Sequence, residues 1–277
     1  MTAFLILVIL IGYGVSWYYG SSLFLYVAVA IAIFTNFFSY WFSDRVALSM
    51  TGAKPATRAE YFDLYTVTEN LSITAGMPMP RLYVIQDPAP NAFATGRNEK
   101  HAVVAVTTGL LSMMDRAELE GVIAHELSHI RNRDILLMTV AVVLAGFIAI
   151  IADIFLHMAH AGGGKGNEKG SALFMVFAVV GFVLAPIAAQ LIQMAISRRR
   201  EYLADASGAL LTRYPDGLAR ALVKIGSYGM PMKKANHATA HLFIGDPFGA
   251  RAGQWVERLF ATHPPVQERV KALVGGK

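Results

Sequence analysis

The chain contains no cysteine. Disulfides and cysteine-ligated metal sites are therefore excluded, while the redox compartment stays open. Charge is also scarce. Asp, Glu, Lys and Arg supply 16% of the 277 residues, against about a quarter in ordinary soluble domains. The apolar share is 55% and the mean hydropathy +0.46. The shortage of charge is uneven: no charged residue occurs from Thr2 to Ser43, from Ile135 to Ala152, or from Ser171 to Ser197. Internal repeats are absent. No phosphate-binding loop is present either, because Gly164-Lys165-Gly166 lacks both the upstream glycine spacing and a following Ser or Thr. The net charge of +5 does not indicate a nucleic-acid partner, since the basic residues form no patch interleaved with aromatics.

The uncharged runs read as membrane spans. A helix needs about 20 apolar residues to cross a bilayer. The first run is too long for one span and is broken by Tyr18-Tyr19-Gly20-Ser21-Ser22. It is expected to form a hairpin, about Ala3–Tyr18 and Leu23–Phe42. A cleaved leader does not fit, for lack of a basic start and a small-residue cleavage site. The other two runs predict a second hairpin around the glycine-rich loop 160–170. Arg45, Lys54 and Arg58, then Arg131 and Arg133, then Arg198-Arg199-Arg200 border these runs on one side. Only Lys165 and Lys169 lie in the loop opposite, so both termini and the charged segments are expected in the cytoplasm.

Within the charged segments, a helix is expected over Arg58–Ala75, stopped by Gly76 and Pro78. Strands are expected at Arg81–Ile85 and Ala102–Thr107, with a turn-rich stretch, Pro88–Gly96, between them. Asp115-Arg116-Ala117-Glu118 has the pattern of a capping box. It opens a helix carrying Val122 to Asp134, VIAHELSHIRNRD, in which His125, Glu126 and His129 form HExxH. Residues four apart share a helix face, about 6 Å apart along the axis, so the two imidazoles can hold one Zn²⁺. The glutamate beside the first histidine is then placed as a general base. A catalytic zinc needs a third protein ligand. Glu201 is the best candidate, and Asp205, one turn later, can orient a ligating imidazole. Alone, these two would read better as part of a solvated charged face with Arg199 and Arg200; their pairing with HExxH at the border of an apolar run favours the ligand reading. His237 and His241 also form HxxxH, but without a base or third ligand they are expected to be incidental. Pro215-Asp216-Gly217 lies outside any apolar run, which excludes intramembrane aspartate chemistry.

VIAHELSHIRNRD, RRREYLAD, NAFATG and THPP stand in the order seen in HtpX-like membrane zinc metalloproteases, which are related to the CAAX prenyl endopeptidases. The chain resembles that family over most of its length. Arg131 is a small departure, because the general metalloprotease pattern prefers an uncharged residue there. The resemblance implies an α+β membrane protein with four transmembrane helices and a zincin-like cytoplasmic metalloprotease domain. Residues 1–43 would be the first transmembrane hairpin and 135–197 the second. Segments 44–134 and 198–277 would together build the protease domain. Zinc, one per subunit, would be held by His125, His129 and Glu201. Glu126 would be the base and then the proton donor, Asp205 would orient His125, and His263 would stabilise the oxyanion or cap the zinc, unless it only precedes a rigid Pro-Pro turn. Arg269 would anchor the last helix or bind a substrate carboxylate. Strand residues Ala102, Val103, Val104, Ala105 and Val106 would form the edge on which an extended substrate lies, with Asn91, Ala92 and Phe93 lining the cleft beside it. The implied activity is cleavage of membrane proteins, misfolded or damaged ones, in the plasma (inner) membrane of a prokaryote, with self-cleavage possible. A prenyl-protein endopeptidase and a catalytically silent zinc-binding scaffold are the alternatives. His129 lies six residues before the third run and Glu201 four after the fourth, so the ligand helices are expected to pass directly into and out of the second hairpin.

Overall fold

The computed structural model describes residues 20–138, 198–236, 239–249 and 264–275, with scattered positions between 6 and 17. The chain divides into two compact units, one formed by Met1–Ser43 with Val140–Leu191, the other by Asp44–Thr139 with Ile192–Lys277. In the first unit the described residues are almost all helical, chiefly the start of α1 (Leu23–Thr51). This helix does not stop at Phe42 but runs on through Asp44 and Arg45 to Thr51. Among the described residues no helix is long and apolar enough to cross a membrane. The expected third and fourth spans lie outside the described residues, apart from 135–138, as does the loop 160–170.

The second unit is α+β. Its sheet has four strands in the order β1 (Lys54–Pro55), β2 (Arg81–Ile85), β4 (Val103–Thr107), β3 (Ala92–Thr95). β2 and β4 run parallel, with Leu82 beside Val104 and Val84 beside Val106. β3 pairs antiparallel with the other side of β4, Phe93 opposite Ala105. Strands at 81–85 and 103–107 follow from their β-branched, apolar composition. β3 was not anticipated: Asn91-Ala92-Phe93-Ala94 is poor in β-formers and reads as turn by composition. The helix α2 (Phe62–Ala75) starts four residues later than expected, after a turn at Thr57–Tyr61. Gly76 ends it in the left-handed conformation, φ 66°, as its sequence indicates.

α3 (Thr108–Met113) leads into α4 (Arg116–Arg131), the central helix. The Asp115 carboxylate accepts from the Glu118 N–H, and the Glu118 carboxylate accepts from the Asp115 N–H, both at 2.8 Å. Two otherwise orphaned donors are thereby satisfied. α4 packs on α2, on β3, on α5 (Arg198–Thr212) and on α6 (Pro215–Ser227), while the short α7 (Val266–Val274) closes over α5 and α6. Leu119, Val122, Ile123, Leu127 and Ile130 of α4 meet Leu64, Val67 and Leu71 of α2, Val104 and Val106 of β4, and Leu218 and Leu222 of α6 in one core. Full burial of such a side chain contributes about 1.5–3 kcal/mol. The HExxH segment is therefore held on a rigid core helix.

Candidate metal centre

Two glycines allow close helix approaches around the site, and one of them brings the ligand helices together. A Cβ at Gly208 on α5 would lie 3.0 Å from the His125 backbone nitrogen, so α5 runs past α4 at the height of the first histidine. Asp205 and Glu201, one and two turns earlier on α5, are thereby aimed at the HExxH face. Gly121 does the same for α6: a Cβ there would lie 2.6 Å from the Leu218 nitrogen.

At this crossing His125, His129 and Glu201 converge, each buried, with one ligand atom apiece inside a 4.8 Å group. His125 Nε2 and His129 Nε2 are 3.2 Å apart. Glu201 Oε1 is 3.5 Å from His129 Nε2, and Oε2 is 3.9 Å from His125 Nε2. Ligands on a tetrahedral ion at zinc distances stand about 3.3 Å from one another, so these separations fit the group. Tautomers point the same way. Asp205 Oδ1 lies 3.0 Å from His125 Nδ1, and Asp134 Oδ2 lies 3.1 Å from His129 Nδ1. An ionised carboxylate only accepts, so each Nδ1 carries the proton. Both Nε2 lone pairs then face each other across 3.2 Å, an arrangement that calls for a cation between them. Charge agrees as well. Glu201, Asp205 and Asp134, joined by Glu126 when it is ionised, outnumber the two positive charges of Arg269 and Arg200, and a divalent ion offsets the excess.

Burial sets the electrostatics. Desolvation holds His125 down to about 4, against the opposing pull of Asp205. Desolvation would also lower His129, but its bond to Asp134 and the charges of Glu201 and Glu126 outweigh it and leave it raised. Glu126, 1% exposed, is pushed up to about 7 by desolvation, reinforced by Glu201. The Ala94 backbone N–H donates to its carboxylate and moderates the rise. Desolvation would raise Asp205, but its bonds to Arg269 and His125 hold it down at about 2.

Expected site residues divide as follows. His125, Glu126, His129, Glu201 and Asp205 come together, and Asp205 faces His125 as read from the sequence. Arg269 takes the anchoring role. It is 1% exposed, and its Nε and Nη2 meet both oxygens of Asp205 at 2.8 and 2.7 Å, so it is not open to a substrate carboxylate. Its Nη1 also donates to the Ile244 carbonyl at 3.2 Å, and its Nη2 lies 3.5 Å from His125 Nε2. His263 lies outside the described residues, as does His237; His241 is buried, with Nε2 3.1 Å from the Met138 carbonyl.

Three expectations are corrected. First, Ala102–Thr107 is not an edge: β4, Val103 to Val106 included, is paired on both sides and wholly buried. Ala102 just precedes it, its carbonyl accepting from Arg81 N–H. The edges among the described residues are β1 and β3, and β3 is the one that packs on α4. Second, Asn91 and Phe93 do not offer their side chains to a cleft. Asn91 Nδ2 donates to the Gly245 carbonyl at 2.9 Å and Oδ1 accepts from Gly245 N–H at 3.1 Å, while Phe93, fully buried, packs edge-on against Phe243. Ala92 is likewise occupied, its carbonyl accepting from Ile244 N–H at 2.9 Å. Third, α4 does not run on into the third apolar run. It ends at Arg131, Arg133 adopts φ 61°, and a new helical turn starts at Asp134. Asp134 was missed for this reason, because the break alone turns it toward His129. Asn132 ahead of a run of charge was the only local cue.

Two imidazoles and a carboxylate sharing one cation position, with a buried second glutamate alongside, define the class: a metalloprotease. Residues 59–276 match Peptidase family M48, and the chain belongs to that family. Curated relatives named "Protease HtpX homolog" include one from Thermoanaerobacter pseudethanolicus, 48% identical over 99% of this chain and 92% of its own. Another, from Pyrococcus furiosus, is 47% identical over 94% of this chain and 89% of its own. Among solved structures, Ste24p of S. mikatae is similar in fold, with a TM-score of 0.54 at 18% identity over 96% of this chain. The chain spans 62% of that protein's length.

Proposed function

We propose that this metalloprotease is a membrane-bound zinc endopeptidase that cleaves peptide bonds of membrane proteins, misfolded or damaged ones in particular. The observation that carries the reading is the pair of Nε2 atoms 3.2 Å apart, closed by Glu201 and flanked by Glu126. His125, His129 and Glu201 would hold the ion. When bound, zinc supplies a Lewis acid for the scissile carbonyl and brings the pKa of a water to about 7. Glu126 is placed to take a proton from water onto a carboxylate oxygen and to return it to the leaving amide nitrogen. Asp205 and Asp134 keep both imidazoles in the tautomer that leaves Nε2 free for the metal.

Substrate geometry follows from β3. Phe93 and Thr95 pair with β4, so Ala92 and Ala94 turn their backbone groups outward. Ala92 is taken by Ile244 and the Ala94 N–H by Glu126. We assign the Ala94 carbonyl, which shares this outward side and is itself 2% exposed, to an extended peptide lying beside Glu126. The uncharged runs 2–43, 135–152 and 171–197 support a membrane setting, and the basic residues that border them support a protease domain and both termini in the cytoplasm.

The test is a cleavage assay in detergent on unfolded membrane protein, run with wild type and Glu126→Gln. Glu126→Gln should keep its zinc and lose about 10²- to 10⁴-fold in rate, self-cleavage included. Undiminished cleavage would refute the mechanism. Cleavage confined to prenylated peptides would move the substrate class to the prenyl-protein alternative, and zinc without any cleavage in wild type would leave the silent scaffold.

A further inference from the structure

We propose that Asp134 is the positioning residue for His129 and that, through Arg200, it locks the two ligand helices in register; this rests on the reading that His125, His129 and Glu201 hold zinc. On an unbroken helix Asp134, five residues after His129, would point about 140° away from it. The end of α4 at Arg131 and the left-handed Arg133 (φ 61°) bring it back. Its Oδ2 meets His129 Nδ1 at 3.1 Å, and its Oδ1 accepts from Arg200 Nη1 at 2.7 Å. Asp134 is 4% exposed, so the carboxylate sits on these two partners away from solvent. Arg200 is the residue next to Glu201. One carboxylate therefore touches the second histidine ligand directly and the third ligand through its neighbour.

Asp205 does the same for His125, with Arg269 closing the far side. The two imidazoles are thus served by parallel histidine–aspartate–arginine chains. In sequence, Asp134 and Arg200 also bracket the intervening apolar segment. Partners of this kind commonly change metal affinity 10- to 100-fold when removed.

The experiment measures the zinc dissociation constant by chelator competition, on full-length protein in detergent, for wild type, Asp134→Ala, Asp134→Asn, Arg200→Gln and Asp134→Ala with Arg200→Gln. Melting of the metal-free proteins is recorded in parallel. Asp134→Ala should weaken zinc about 10- to 100-fold, with Asp134→Asn, which keeps an acceptor, between it and wild type. Arg200→Gln should weaken zinc less, and the double variant should be no weaker than Asp134→Ala alone. If Asp134→Ala does not fold, Asp134→Asn and Arg200→Gln decide. Wild-type zinc affinity in these variants, with only the metal-free melting lowered, would make the ion pair structural and overturn the proposal. Failure of wild type itself to bind zinc would instead sink the reading of the site.

Discussion

At the scale of single residues the decisive side chain is Glu126. Without metal, burial lifts it to about 7 from its ordinary 4.5. A folded-state value above the unfolded one means that the folded chain holds the proton more tightly between those limits. Stability therefore falls as pH rises from 4.5 through 7, by roughly 3 kcal/mol at pH 8. Chelator-treated Glu126→Gln lacks that loss, so it should melt above chelator-treated wild type at pH 8, with the gap closing near pH 4.5. Equal melting at both pH values would contradict the placement of this carboxylate. His125, Glu126, His129 and Glu201 were legible in the sequence because metal and base chemistry restrict them to few residue types at helical spacing. Asp134 and the anchoring role of Arg269 were not: one depends on a backbone break, the other on a helix that packs back from 64 residues away.

At the scale of elements, α4 was legible from its capping box and the HExxH spacing, and β2 and β4 from their β-branched content. β3 was hidden, because its alanines carry little strand preference and its place is fixed by pairing with β4 and by the Asn91–Gly245 bonds. That single element reversed the edge of the sheet and with it the expected substrate strand. The approach of α4 to α6 gives a prediction opposite to helix propensity. Gly→Ala in a helix ordinarily stabilises by about 1 kcal/mol. At Gly121 the added Cβ would meet Leu218 backbone at 2.6–2.7 Å. Overpacking of about 1–3 kcal/mol or more should win, so Gly121→Ala should lower the denaturation midpoint. A rise in the midpoint would show that α6 can move aside.

At the scale of the whole molecule, the α+β character of the second unit was legible from the alternation of strand and helix signals. Its assembly from Asp44–Thr139 and Ile192–Lys277 puts the ligands of one site on either side of a long apolar insertion. The proposed topology predicts that a reporter fused near Gly164 signals from the non-cytoplasmic side, and a cytoplasmic signal would overturn it. The account as a whole stands on the metal. The most direct measurement is zinc content after purification in detergent, for wild type beside Glu201→Ala. About one zinc per chain in wild type, with marked loss in the variant, is the predicted result for a three-ligand site. A wild type without zinc, or a variant that keeps the wild-type content, would contradict the assignment of His125, His129 and Glu201.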